Sequence, residues 1–265
     1  MKKFLSLALI AVMCVTCLFS FGSCGQKEDK LIVGYTLYKP MNYQDENGKL
    51  IGFDTELAEA VAEKLGMEVE FQKIEWANKY MELEAGTINC IWNGFTSNCA
   101  DDDGVQRSEK VDFSYAYMNN EQCVVVQTKD LATLNSVEAL ADKTAAAEKG
   151  SAGEGIAKDY VSDEKNYLGK DSQAAAMMEL IAGTVDFIVI DKTMAKSMVG
   201  SGSYADLSIV EDIEIEAEVY SIGFKKGSKL TEKVNGALKE LAEDGTMMRL
   251  AEKYNLQNYV ITDLK

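Results

Sequence analysis

Between residues 31 and 224, short apolar runs alternate with segments of helical periodicity, and this alternation constrains the fold more than any other feature. Residues 31–35 form a compact apolar run ending on Gly34 and Tyr35, which reads as a buried strand. Runs at 69–71, 88–92, 124–126, 144–147 and 187–190 repeat that pattern, and residues 54–65, 76–84, 137–141, 173–182 and 192–198 read as helices between them. In the first helix Leu57, Ala58, Val61, Ala62 and Leu65 share one face, Asp54 or Thr55 can cap its start, and Gly66 stops it. Asp45-Glu46-Asn47-Gly48 reads as a hairpin turn, because Asn-Gly accepts the positive φ that such turns require. Strands alternating with helices predict βαβ units and mostly parallel sheets. An acidic stretch at 213–219 and a run at 221–224 follow, and two helices close the chain. The first carries Leu230, Val234, Leu238 and Leu241, and the second covers 246–254. Two α/β units and a helical tail predict two lobes with a cleft between them. Ligands of open α/β sheets sit beyond the carboxyl ends of strands, so the residues just after Tyr35, Trp92, Ala147 and Ile190 are the ones to inspect.

The chain contains no histidine, which removes Ser-His and Cys-His nucleophile pairs and the commonest general base. Only carboxylate chemistry remains open to it. Its formal charge is −16, and an acidic surface argues against nucleic acid or anionic lipid headgroups as partners. Six cysteines do not make a disulfide framework. Cys14 and Cys17 fall in the N-terminal apolar run, and Cys90, Cys99 and Cys123 lack metal-ligand spacing. Buried thiols are expected at Cys90 and Cys123, with one disulfide among the three left open. No metal and no cofactor are expected.

The N-terminus addresses the compartment. Lys2 and Lys3 precede an apolar run over 4–21, then Gly22-Ser23 leads to Cys24 and a polar stretch over 25–30. That order reads as a secretory signal over residues 1–23, excluded from the fold argument. The alternative is a membrane span, since the run is long enough for one. Cys24 after two small residues resembles the bacterial lipoprotein box, in which the cysteine becomes the lipidated terminus. Two or more acyl chains make such anchoring stable. Without residues 1–23, 25 basic side chains face 43 acidic ones, a net charge of −18.

The strand ends carry an ordered set of residues: Tyr35, Tyr38 and Pro40; Gly52-Phe53-Asp54; Gly94-Phe95-Thr96; Arg107; Phe113-Ser114; Gly150-Ser151-Ala152-Gly153; and Asp186 followed by Asp191. With these intervals the chain resembles the bacterial extracellular solute-binding proteins of family 3, over nearly all of 31–265. The resemblance implies a periplasmic-binding-protein-like fold of type II. One lobe takes 31–118 and 217–265, the other takes 119–216, and two hinge crossovers lie near 117–121 and 216–220. It also implies a monomeric receptor, lipid-anchored on the outer face of the membrane, or periplasmic where an outer membrane exists. Such a receptor hands an amino acid to an ATP-driven permease.

Carried over by position, Arg107 matches the arginine that grips the ligand's α-carboxylate, a role suited to a planar guanidinium fork. Its bland alternative is a surface ion pair. Thr96 matches the hydroxyl that also donates to that carboxylate, against an ordinary turn, and Gly94 offers a carbonyl to the amine. Asp191 matches the acid that binds the α-ammonium, although a helix cap is equally in keeping with its place. Ser151 and Ala152 lie where backbone N–H groups meet the carboxylate, at a helix N-terminus suited to an anion. Tyr38 and Phe53 match aromatic residues that sandwich the ligand's stem; without the family they read as core. Asn93 is a further candidate, facing opposite to Trp92. Residues 97–106 are about six longer than is usual at that point of the family, and the run Asp101-Asp102-Asp103 reads as a solvated loop tip with too few ligands for calcium.

Ligand identity is where the sequence says least. Tyr35 stands where relatives for basic amino acids carry an acid, and it offers a phenol without full charge. Glu148 welcomes a cation or an amide. A neutral polar side chain such as glutamine's therefore ranks first, a basic one second and an acidic one last. Two other classes compete with transport: an enzyme on the same scaffold, with Glu148 as its only unassigned acid, and a soluble sensor subunit.

Overall fold

The computed structural model describes residues 30–265. The chain opens with β1 (Lys30–Tyr35), a hairpin of β2 (Tyr43–Gln44) and β3 (Leu50–Ile51), α1 (Phe53–Leu65) and β4 (Glu68–Lys73). Next come α2 (Lys79–Ala85), β5 (Cys90–Ile91), α3 (Arg107–Lys110), β6 (Asp112–Phe113) and the long β7 (Met118–Gln127). The second half holds α4 (Val137–Leu140), β8 (Ala145–Glu148), α5 (Ala152–Tyr160), β9 (Tyr167–Lys170), α6 (Gln173–Ala182), β10 (Phe187–Asp191), α7 (Lys192–Met198) and β11 (Leu207–Ile209). Then β12 (Ala217–Tyr220) and β13 (Gly223–Phe224) lead to α8 (Leu230–Glu243) and α9 (Thr246–Lys253).

Two sheets result, and each belongs to one lobe of a type II two-lobe α/β fold. The first has the order β4-β1-β5-β13-β6, with β1 parallel to both β4 and β5, and β13 antiparallel to β5 and β6. The second has the order β11-β7-β10-β8-β9, parallel along β10-β8-β9 and antiparallel where β7 meets β10 and β11. The βαβ units are thus parallel as expected, and the antiparallel members are strands on chain that passes between the lobes. Those crossing segments bind each other: β12 pairs antiparallel with the start of β7, Met118 opposite Tyr220 and Glu121 opposite Ala217. A β-strand buried on both faces needs apolar side chains throughout, which is why 187–190 and 145–147 lack any polar residue.

The start of α1 differs from the expectation of a side-chain cap. Gly52 holds the capping position at φ 132°, and neither Asp54 nor Thr55 caps. Both are otherwise engaged. Asp54 is fully buried and accepts from the Gly94 N–H (2.8 Å) and the Tyr117 hydroxyl (3.0 Å). The Thr55 hydroxyl donates to Ile51 O (3.3 Å) and accepts from the Asn42 amide (2.9 Å). Burial pushes Asp54 up to about 7 against the pull of these partners. Only glycine fits at 52, because a Cβ there would lie 2.1 Å from Met41 O.

Cys90 and Cys123 are buried and Cys99 is half-buried; all three are free thiols. Cys24 and residues 1–23, expected from the sequence to be a secretory signal, lie outside the described residues. Among the described residues no helix is long and apolar enough to cross a membrane.

Candidate ligand-binding site

The carboxyl ends of β1, β5, β8 and β10 converge on one narrow cavity between the lobes. Its walls are Tyr38, Trp76, Asn93, Gly94, Thr96 and Arg107 from the first lobe, and Gln122, Glu148, Ser151, Ala152, Gln173 and Asp191 from the second. Nine of the eleven residues singled out from the sequence are therefore brought together. Tyr35 and Phe53 are not. Tyr35 packs edge-on against Phe71 (ring centroids 6.1 Å apart), at the side of β1 turned to β4. Phe53 is fully buried and stacks on Tyr117 at 6.3 Å, because the first turn of α1 directs it into the core. It cannot sandwich a ligand from there.

Arg107 starts α3 and is buried. Its Nε donates to Asp101 Oδ1 (2.7 Å), one terminal nitrogen donates to Thr96 O (3.1 Å), and the other donates across the cleft to Gly150 O (3.2 Å). A guanidinium has five N–H donors, so one remains on each terminal nitrogen. Two is the number that a carboxylate's two oxygens need. Asp101 belongs to the segment read as a solvated tip, and the structure corrects that reading. Its side chain is 11% exposed and also accepts from Lys110 (2.8 Å) and the Tyr80 hydroxyl (2.7 Å). Burial works against its charge, but Arg107, Lys110 and Tyr80 hold it down at about 2.

Gly94 is at φ 58°, and a Cβ there would sit 2.6 Å from the Tyr38 ring, so glycine is required for this turn to pass beneath the tyrosines. Asn93 lines the cavity, but its amide is committed to the neighbouring loop. The oxygen accepts from Thr36 N (3.1 Å) and Oγ1 (2.6 Å), and the nitrogen donates to Thr36 O (3.0 Å) and Asn42 Oδ1 (2.7 Å). It shapes the site and has no hydrogen-bonding group to spare. In the second lobe the Ser151 hydroxyl caps α5 by accepting from Glu154 N (3.2 Å), and the Ser151 N–H donates to Glu148 O (3.1 Å). The open anion seat therefore falls to Ala152 and Gly153, first-turn N–H groups that a helix cannot satisfy internally.

Asp191, at the end of β10, is buried among donors. Oδ1 accepts from Asn120 (2.8 Å), Gln122 (2.8 Å) and Tyr220 (2.7 Å), whereas Oδ2 accepts from Gln173 alone. It does not cap α7 with its side chain. The same two amides also donate to Glu218 Oε1, Asn120 at 2.5 Å and Gln122 at 2.8 Å. Burial raises both carboxyls, and with Asp191 beside it Glu218 is pushed up to about 8. Glu148 lies on the same side of the cleft. Burial, then Asp191, raise it to about 8, against Lys79 and Gln173, and its Oε1 has no hydrogen-bond partner among the described residues.

Several contributors escaped the sequence reading. Gln122 and Gln173 orient Asp191, and Glu218 and Tyr220 reach it from the second crossing segment. Lys79 is buried over the rings of Tyr80 (4.7 Å) and Trp76 (5.1 Å) and donates to Gly150 O (2.9 Å). Burial, then Arg107, lower Lys79 to about 8. Its signal was a lysine on the same helical face as Trp76 and Leu83. The lobes also touch through Tyr38, whose hydroxyl bonds Thr193 and Tyr220 (2.7 Å).

An enclosed cavity between two α/β lobes, with a buried guanidinium on one wall and a buried carboxylate on the other, defines a two-lobe binding protein for small charged solutes. The chain belongs to the bacterial extracellular solute-binding proteins, family 3, which it matches over residues 31–257. The arginine-binding extracellular protein ArtP of Bacillus subtilis (strain 168) is 30% identical over 264 residues, covering 96% of this chain and 98% of its own. Among solved structures, an ancestral arginine-binding protein bound to arginine is 33% identical, with a TM-score of 0.76 over 85% of this chain and 98% of its own. An ancestral arginine-binding protein bound to glutamine is also 33% identical, with a TM-score of 0.76 and coverage of 86% and 98%. These relatives are binding proteins rather than enzymes.

Proposed function

We propose that this protein closes its lobes on one amino acid, performs no chemistry on it, and delivers it to an ATP-driven permease, and that the preferred side chain is cationic. The observation carrying this reading is that Arg107 and Asp191 line one cavity from opposite lobes, with the partnerless oxygen of Glu148 beside them. Arg107 and the first turn of α5 suit the α-carboxylate, and Asp191 Oδ2 suits the α-ammonium. A third charge, Glu148, is then left for the side chain. The preference for a neutral ligand rested on Tyr35, which packs away from the cavity on Phe71. Without it the balance tips toward a base, in keeping with the arginine-binding relatives. An acidic side chain would meet Glu148, Asp191 and Glu218 and stays last.

Titration calorimetry with arginine, glutamine and glutamate tests this, and arginine should bind tightest. A pH profile adds a second signature. In the free protein burial, then Asp191, hold Glu148 up at about 8 against Lys79, so it is protonated at neutral pH. A cationic side chain favours its ionised form, so binding releases a proton. Arginine affinity should then rise as pH rises toward about 8 and level off above it. Glu148→Gln should flatten that slope and bring arginine and glutamine about tenfold closer, or ~1.4 kcal/mol. Glutamine binding tightest with a flat profile would overturn the cationic reading, and no amino acid binding at all would overturn the receptor.

The anchor is proposed on the sequence of residues 1–30, through lipid on Cys24. Cys24→Ser should move the protein from the membrane fraction to the soluble one with ligand affinity unchanged, because the polar leader separates anchor from lobes. A variant that still takes up labelled lipid would refute the assignment.

A further inference from the structure

The loop over 97–106 is built, not draped. Ala100 and Gln106 form an antiparallel bridge, Asp101 N donates to Val105 O (3.0 Å), and Gly104 N returns to Asp101 O (2.8 Å). Its two leading aspartates point in different directions. Asp101 turns inward to Arg107 Nε (2.7 Å), while Asp102 reaches the other lobe and pairs with Lys158 on α5 at 2.5 Å. Lys158 in turn pairs with Glu154 (3.0 Å), whose other oxygen accepts the Gly150 N–H (2.5 Å). The Gly150 carbonyl accepts from Lys79 and Arg107 of the first lobe. One residue of the second lobe, Gly150, is thus held at both its N–H and its carbonyl by chains of contacts that begin at adjacent residues of this loop.

We propose that residues 97–106 form a clasp, in which Asp101 positions Arg107 for the ligand's α-carboxylate and Asp102 fastens the lobes together through Lys158; the first half rests on the amino-acid reading above. Asp101 does not line the cavity and reaches the ligand through Arg107. Of the three acceptors that hold the guanidinium, Asp101 is the charged one and makes the shortest contact, the others being the Thr96 and Gly150 carbonyls. Without it the side chain keeps its charge but its two free N–H groups are aimed less firmly, and a bidentate partner is sensitive to aim. Asp102 and Lys158 are partly exposed (41% and 31%), so theirs is a weak, screened attraction that favours closure without locking it.

The test has two arms. In the first, Asp101→Asn is compared with wild type for arginine and for agmatine, which lacks the α-carboxylate. Arginine affinity should fall about tenfold or more while agmatine changes less than about twofold. Equal losses would make Asp101 a merely structural residue and overturn its positioning role. The second arm needs no ligand: electron–electron distance measurement between spin labels on the two lobes of the free protein. Asp102→Asn and Lys158→Gln should each reduce the closed population relative to the open one by roughly two- to fivefold. The double variant should do no more than either alone, and the differences should vanish at about 1 M salt, where the Debye length is about 3 Å. Additive effects, or effects that survive salt, would overturn the clasp. A wild type that binds neither probe would defeat the ligand assignment, and the second arm would still decide whether the lobes are clasped.

Discussion

Arg107→Ala is expected to lower arginine affinity by roughly 30- to 4,000-fold, the size of effect that follows when one partner of a desolvated charge pair is removed at ~2–5 kcal/mol. The loss has two sources. The ligand's carboxylate forfeits two charge-assisted hydrogen bonds, and it is left buried without a counter-charge. The fold should survive, because Asp101 keeps Lys110 and Tyr80 when the guanidinium is gone. Arg107→Lys should recover less than a tenth of the lost affinity. An ammonium is a point donor, and it cannot meet Asp101, Thr96 O, Gly150 O and two carboxylate oxygens at once. Calorimetry at fixed pH, with circular dichroism to confirm folding, reads both variants. Wild-type affinity in Arg107→Ala would remove Arg107 from the site and return it to the role of an interlobe strut.

Much of the architecture was legible because burial leaves a one-dimensional trace. A strand covered on both faces must be apolar throughout, so 31–35, 124–126 and 187–190 announce themselves. A helix on a sheet must repeat its apolar residues every three or four positions, as α1 and α8 do. The strand ends then direct attention to Gly94, Glu148, Ser151 and Asp191, and the cavity collects all four. What the sequence left hidden depends on direction rather than on kind. Tyr35 and Phe53 flank the site in the chain, but which way a side chain leaves the last residue of a strand or the first of a helix depends on the neighbours it packs against. For Tyr35 that neighbour is Phe71, and for Phe53 it is Tyr117. Gln173 was missed because β9, the strand before it, is short and half-exposed and carries no apolar alternation. Glu218 and Asp191 are 27 residues apart in sequence order and meet only because β12 pairs with β7. The aspartates of the 97–106 loop looked like solvent-facing acids for a similar reason. Nothing local in the sequence says that an arginine six residues later folds back on the first of them.

Asp191→Asn should cost arginine binding as much as Arg107→Ala, roughly 30- to 4,000-fold, by a different physical route. The wild-type carboxylate is an acceptor on both oxygens. Asn120, Gln122 and Tyr220 converge on one, and Gln173 donates to the other. An amide in its place presents N–H groups to one set of these donors, so at least one contact becomes donor against donor and a buried amide loses its partner. The ligand's ammonium meanwhile loses a carboxylate whose second oxygen, Oδ2, accepts from Gln173 alone and keeps room for it. Glu218 does not substitute, because Asn120 and Gln122 already hold its Oε1 and burial raises its carboxyl. The discriminating measurement uses the desamino analogue of arginine, which keeps the carboxylate and the guanidinium but has no α-ammonium. Wild type should bind this analogue about as weakly as Asp191→Asn binds arginine, and the variant should bind both ligands with nearly equal affinity. If Asp191→Asn instead weakens arginine and the analogue by the same factor, Asp191 serves only to hold the amide network together. The ammonium would then have to be met by Glu148, with the side chain of the ligand turned elsewhere.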